Sequence, residues 1–156
     1  MEIKIIEQNK KDFLDILLLG DEEESMIDKY LECGTLFALY DDDLKSVCVV
    51  TDCRKLSGDA EDDDGVYEIQ NIATYTQFHR KGYASKLINF VFDYYKNACK
   101  KIILGTGDVP SVLAFYEYCG FTISHRVDNF FIDNYKNPII EDGILLVDKV
   151  YLEKNF

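Results

Sequence analysis

Apolar residues recur along this chain at two spacings, and the points where the spacing changes divide it into strands and helices. Ile3 and Ile5 with Ile6 predict a short opening strand. Phe13, Ile16 and Leu17, then Met26, Ile27, Tyr30 and Leu31 beyond an acidic break, return at helical intervals. Gly34 follows, where a glycine past the last turn commonly ends a helix. Leu36 to Tyr40 and Ser46 to Val50 are two short strands around Asp41, Asp42 and Asp43, a hairpin with a polar turn. Val66 to Thr74, rich in branched side chains, reads as a longer strand. After a turn, Ala84, Leu87, Ile88, Val91, Phe92 and Tyr95 fall on one helical face, with Lys86, Asn89, Asp93 and Lys96 opposite. Lys101 to Leu104 is another strand. Pro110 suits a first helical turn, and Val112, Leu113, Phe115 and Tyr116 supply the apolar side of that helix, which Gly120 ends. Phe121 to Ile123 begins a further strand, and Ile144 to Leu152 predicts a last one. Strands interleaved with helices imply an α+β layered fold, a mixed twisted sheet of six or seven strands flanked by helices. No repeat or internal boundary interrupts the chain, which reads as one domain over residues 1–156.

Composition narrows the classes. The 156 residues are 47% hydrophobic and 13% aromatic, ample for a core and contrary to disorder. No apolar run approaches the ~20 residues of a membrane span, and the start has neither the basic head nor the apolar stretch of a signal peptide. A cytoplasmic protein with no membrane partner is expected. Five cysteines, Cys33, Cys48, Cys53, Cys99 and Cys119, form no Cys-x-x-Cys pair and read as small buried hydrophobes rather than disulfides or metal ligands. The net charge of −12 repels phosphate backbones and disfavours nucleic acid. It would attract a cationic substrate, and it could equally serve solubility alone. The acidic stretch Asp59 to Asp64 before Gly65 reads as an exposed loop. With Gly65 sixth in an EF-hand, Ala60 and Asn71 fall where aspartate and glutamate belong, so calcium is not expected, nor any other metal.

The segment from Thr74 to Ser85 carries candidate chemistry. A strand leads into a loop, Gly82 lets backbone approach a ligand closely, and a long helix begins there. A helix start presents unpaired N–H groups and a partial positive charge, which suit phosphate. Arg80 and Lys81 add formal charge, Ala84 keeps the surface small, and Ser85 offers a hydroxyl. Arginine and lysine beside a glycine also occur in ordinary loops. G-x-x-x-x-G-K-[ST] and G-x-G-x-x-G are both absent, which argues against a nucleoside triphosphatase or a dinucleotide enzyme.

The stretch from Asn71 to Ile88 resembles the acetyl-CoA motif of the GNAT acetyltransferases, a strand running into (Q/R)-x-x-G-x-(G/A). Ala114 to Phe121, with Tyr116-Glu117 and Gly120-Phe121, resembles a second signature of that family at about the right distance. The resemblance is strong over residues 66–123. Gly105-Thr106-Gly107 and the tail with Tyr135, Pro138 and Gly143 also look like a bacterial branch of undefined substrate. The resemblance implies a GNAT fold with a sheet splayed at its centre to admit CoA, and acetyl transfer from acetyl-CoA to a primary amine by direct attack through a tetrahedral intermediate. Ile72, Ala73 and Thr74 would offer backbone groups to the pantetheine arm and thioester. His79, Arg80, Lys81, Gly82, Tyr83, Ala84 and Ser85 would hold the pyrophosphate. Tyr116 would protonate the departing thiolate. Glu68 stands where one branch carries its general base, needed because an alkyl ammonium is no nucleophile at neutral pH.

The chain departs from the family pattern at two points. His79 replaces the usual Gln or Arg, and Val109, beside Asp108, stands where the family often has Asn. Each assignment has a plainer rival: Tyr116 as one of eleven tyrosines in the core, and Glu68 as a solvated strand residue, with water as the base. Tyr30, Tyr40, Tyr94 and Tyr95 read as packing, and His125 as structural or exposed. Cys119 is the nearest candidate for a covalent route, but no His–Asp set accompanies it. The other class of function is a CoA-binding regulatory module of the same fold without transfer activity. The acceptor, a small-molecule or peptide amine, would be lined by Asp21 to Leu31 and Asn129 to Asp142. The acidic run from Asp21 to Glu24 hints at a cationic one, and a homodimer is left open.

Overall fold

A computed structural model describes residues 1–57 and 64–156 of the chain. Its strands are β1 (Glu2–Ile6), β2 (Thr35–Asp41), β3 (Asp43–Asp52), β4 (Val66–Thr74), β5 (Lys101–Gly107), β6 (Thr122–Val127), β7 (Ile140–Glu141), β8 (Ile144–Leu145) and β9 (Lys149–Asn155). The helices are α1 (Leu14–Gly20), α2 (Glu24–Ile27), α3 (Cys53–Ser57), α4 (Tyr83–Tyr95), α5 (Pro110–Tyr118) and α6 (Phe130–Asn134). Seven strands form one mixed sheet in the order β1-β2-β3-β4-β5-β9-β6, and β7 and β8 make a separate ribbon. Within the large sheet β4 and β5 are the parallel pair, and every other neighbouring pair is antiparallel.

The period of two along β2 and β3 generates two cores. Phe37, Leu39, Cys48 and Val50 meet Leu87, Ile88, Val91 and Phe92 of α4 on one face. Leu36, Ala38, Val47 and Val49 meet Ile16 and Leu17 of α1 and Ile27 of α2 on the other. The sheet is therefore flanked by helices on both faces. Among the described residues no helix is long and apolar enough to cross a membrane.

Two features of β4 interrupt the sheet. Consecutive Val49 and Val50 of β3 oppose Asn71 and Ile69 of β4, so Gln70 is an extra residue, a β-bulge. The bulge reverses the alternation. Tyr67 and Ile69 pack on the α4 side before it, and Ile72 does so after it, leaving Ala73 to the α1 side. The parallel pairing of β4 with β5 also stops there: it runs from Val66–Lys101 to Ile69–Leu104 and no further. Gln70 to Thr74 and Gly105 to Gly107 thus part from each other, and the sheet opens between them.

The last segment differs from its sequence reading. Ile144 to Leu152 is not one strand: Ile144 and Leu145 close a hairpin with β7, and β9 starts afresh at Lys149. Asp142 and Gly143 both have positive φ, 52° and 75°, which is the backbone of a two-residue hairpin turn. The residues from Asp28 to Gly34 form turns rather than a continuation of α2, and buried Lys10 holds them by donating to the carbonyls of Leu31, Glu32 and Gly34. The acidic stretch Asp59 to Asp64 lies outside the described residues except for Asp64, which is exposed and pairs with Arg54.

Candidate functional site

The turn before α4 leaves the start of that helix open. Gly82 has φ +84°, and a Cβ there would find only Ser85 Oγ, 4.0 Å away. The position thus demands glycine for its backbone and leaves open space where a ligand can approach. Arg80 also sits in the left-handed region, at φ 62°. No side chain caps α4, so the N–H groups of its first turn remain available, at the positive end of the helix. Ser85 Oγ donates to the Gly82 carbonyl at 3.0 Å. The Tyr83 hydroxyl donates to Asp41 at 2.7 Å and fixes the helix start to the β2–β3 hairpin. His79 contributes by closing the loop: its Nε2 donates to the Thr74 carbonyl at 2.9 Å. His79, Arg80, Lys81 and Gly82 are all exposed.

A cavity of about 540 Å³ lies where β4 and β5 part, and Glu68, Ile72 and Tyr116 all line it. Ala73, Thr74 and the turn from His79 to Ser85 are not among its walls; they follow Ile72 along the chain to the start of α4. The Tyr75 N–H donates to the Lys45 carbonyl. By the alternation of an antiparallel ladder, residues 71 and 73 also bond β3, and Ile72 and Thr74 turn their N–H and C=O groups toward the gap. The Ala73 carbonyl additionally accepts Ser46 Oγ at 2.9 Å.

Burial raises the pKa of Glu68 above the ordinary glutamate range, and Lys149 acts in the opposite direction through space. Burial likewise pushes the Tyr116 phenol upward, so it is a protonated hydroxyl at neutral pH. Its ring packs edge-on against Phe121 at 6.0 Å, and among the described residues its hydroxyl has no hydrogen-bond partner. A carboxylate biased toward holding a proton and an uncommitted phenol face one space, an arrangement suited to accepting one proton and delivering another. Burial also raises the Cys119 thiol, which opposes a thiolate nucleophile there. Asp108, beside Val109, is engaged by Arg126 at 2.8 Å. Among the described residues no group of three or more His, Cys, Asp or Glu could hold a metal ion.

Both segments expected to line an acceptor pocket reach this cavity: Asp21, Met26 and Tyr30 from the first, and Phe131, Tyr135 and Glu141 from the second. They are fastened together. Asp21 accepts the hydroxyls of Tyr30 at 3.0 Å and Tyr135 at 2.8 Å. Buried Asn71, next to the bulge, donates to Tyr30 at 3.1 Å and to the Leu17 carbonyl at 2.9 Å. Gly20 is required beside it, since a Cβ there would lie 2.1 Å from Asn71 Oδ1. Tyr30 is therefore more than the packing residue its spacing suggests. Periodicity also gave no sign of Lys149, whose chain crosses Gly105 at the cavity wall.

A mixed sheet that parts beside a bulge, with helices on both faces and an uncapped helix start after β4, is the architecture that the GNAT resemblance implies. The sequence model described as "Acetyltransferase (GNAT) family" matches residues 5–121, and the chain belongs to that family. It is 30% identical over 155 residues to an uncharacterised N-acetyltransferase of Bacillus subtilis, covering 97% of this chain and 94% of that one. A GNAT family acetyltransferase from Elizabethkingia anophelis, solved with acetyl-CoA bound, superposes with a TM-score of 0.88 at 31% identity over 99% of this chain and 97% of that one. A Bacillus subtilis acetyltransferase in complex with CoA gives 0.86 at 29% identity, covering 99% and 98%. As a member of that family the chain is an acetyltransferase.

Proposed function

We propose that the chain moves the acetyl group of acetyl-CoA directly onto a primary amine bound in the cavity at the β4–β5 opening. The observation that carries this reading is that Glu68 and Tyr116, from distant parts of the chain, line the same cavity. Glu68 takes a proton from the incoming ammonium, directly or through a water. The free amine attacks the thioester carbonyl, a tetrahedral oxyanion forms, and backbone N–H groups at the open edge of β4 around Ile72 stabilise it. Collapse breaks the C–S bond, Tyr116 gives its proton to the departing thiolate, and the extra proton on the new amide nitrogen passes through water to restore the Tyr116 hydroxyl. The pyrophosphate rests on the turn from His79 to Ser85. That the E. anophelis relative was solved with acetyl-CoA bound supports the same co-substrate here.

The acceptor is a small amine or the amine end of a peptide. Asp21, Glu22 and Glu141 make one part of the cavity acidic, which favours an acceptor with positive charge. The test is amine-dependent release of free CoA thiol, measured over a panel of polyamines, aminoglycosides, amino acids, amino acid amides and basic peptides. Binding of acetyl-CoA with no amine-dependent thiol release across that panel would overturn the proposal.

A further inference from the structure

Of the two lysines that line the cavity, Lys29 is exposed, whereas Lys149 is half-buried. Its ammonium lies over the rings of Phe130 at 4.2 Å and Tyr151 at 4.8 Å. Its chain passes so close to β5 that a Cβ on Gly105 would be 2.1 Å from Cε and 3.1 Å from Nζ. The missing side chain at Gly105 and the two rings thus hold the lysine in one place against the cavity wall. Among the described residues it forms no hydrogen bond or ion pair, although an ammonium carries three donors. Ring faces attract a cation but accept no strong hydrogen bond from it.

Glu68 lines the same cavity. It is close enough for Lys149 to lower its pKa, yet the two make no salt bridge. Opposite charges held apart in a partly dry cavity are poorly compensated. A molecule that carries both signs in the reverse order satisfies each of them: an amine toward Glu68 and an anion toward Lys149. Acceptors with positive charge alone would meet Lys149 as a like charge beside the base.

We infer that Lys149 binds a carboxylate of the acceptor, so that the acceptor class is an amino acid, with amine and carboxylate on the same or neighbouring carbons. The acidic part of the cavity then faces the side chain of that amino acid and favours a polar or basic one. This inference rests on the reaction proposed above. It makes Lys149 a specificity residue, with Gly105 and the rings of Phe130 and Tyr151 positioning it.

The experiment compares kcat/KM for free amino acids with that for their carboxamides, for lysine, glutamine and phenylalanine, in the wild type and in Lys149→Met and Lys149→Arg. Acid and amide differ in amine basicity, and Lys149 acts on Glu68 whichever substrate is bound. Comparing the acid-to-amide ratio between proteins cancels both effects. The ratio is expected to fall about tenfold or more in Lys149→Met, the scale of losing a hydrogen bond between charged groups, and to stay within about threefold in Lys149→Arg. An unchanged ratio in Lys149→Met overturns the inference. So does a loss of acetyl-CoA affinity with the ratio intact, which would mean that Lys149 serves the co-substrate. The wild type provides an arm free of any folding defect: turnover confined to amines without a carboxylate, such as spermidine or cadaverine, rejects the amino acid acceptor and leaves the acetyl transfer standing. No turnover of any amine, with acetyl-CoA still bound, removes the transfer reaction and this inference with it.

Discussion

Tyr135 and Asp21, 114 positions apart in the chain, are joined by a hydrogen bond of 2.8 Å at the wall of the cavity. The other oxygen of the same carboxylate accepts from Tyr30, and the Lys136 N–H donates to Glu23 at 2.8 Å nearby. The segment after α6 is thereby tied to the end of α1. Tyr135→Phe keeps the ring and removes the tie. A net loss of about 1 kcal/mol corresponds to a melting temperature lower by about 2–4 °C for a chain of this size. The acceptor KM should rise several-fold and kcat should change less than about twofold. A calorimetric melt and steady-state kinetics check both, and an unaltered KM would exclude Tyr135 from shaping the acceptor pocket.

At Gly82 the backbone and the proposed pyrophosphate make separate demands. A Cβ would meet nothing closer than 4.0 Å, so Gly82→Val is not excluded by crowding within the protein. Its cost is the left-handed φ of +84°, about 1–2 kcal/mol for a residue with a side chain. The variant should fold with reduced stability and lose the thermal shift that acetyl-CoA gives by binding the folded state. Gly82→Asn, which tolerates that φ better, should recover stability but not the shift. Full CoA affinity in either variant, by calorimetric titration, would move the pyrophosphate elsewhere.

These two sites also mark the boundary of what sequence could disclose. The apolar stripe of α4 and the alternation of β2 and β3 are strong periodic signals, and they predict both helices on a sheet and the anion turn at a helix start. Gln70 is invisible to that reasoning: a bulge is one extra residue against a partner strand, and nothing local to Gln70 reports the register of Val49 and Val50. Without the bulge, the opening of the sheet rests on resemblance alone. The β7–β8 hairpin is a different case. Asp142-Gly143 between Ile140-Glu141 and Ile144-Leu145 is a readable turn signal, overridden by the apolar run from Ile144 onward. Lys149 could not be found from its neighbours in sequence, because its setting is made by Gly105 and Phe130, from two other segments.

Tyr116→Phe isolates one hydroxyl. Since that hydroxyl has no protein partner among the described residues, its removal breaks no hydrogen bond, and stability should stay within about 0.5 kcal/mol of the wild type. Acetyl-CoA affinity should change less than about tenfold. If Tyr116 protonates the thiolate, kcat should fall by roughly 10²-fold or more. Unaltered turnover in a folded, CoA-binding variant would remove Tyr116 from the mechanism and return it to the core as a packing residue.

Glu68 ties rate and stability to pH with opposite signs. As a base it works deprotonated, and burial raises its pKa. The acidic limb of the pH–rate profile should therefore lie above the ordinary glutamate value of about 4.3. Lys149 holds that pKa down, so Lys149→Met should move the limb to higher pH. Glu68→Gln keeps size and hydrogen bonding but accepts no proton. It should abolish the limb, react slowly near neutrality and recover partly at high pH, where more of the acceptor amine is already free. Stability runs the other way. A group whose folded pKa is raised contributes stability fully present below its unfolded pKa and lost as pH rises through the folded value. Wild type should therefore lose stability relative to Glu68→Gln across that window, leaving the variant the more stable protein near pH 7. A Glu68 that is merely structural predicts the reverse: a less stable variant with the wild-type pH dependence. Superimposable pH–rate profiles for the two proteins, recorded with one good acceptor alongside melts at each pH, would reject the base and leave deprotonation to water.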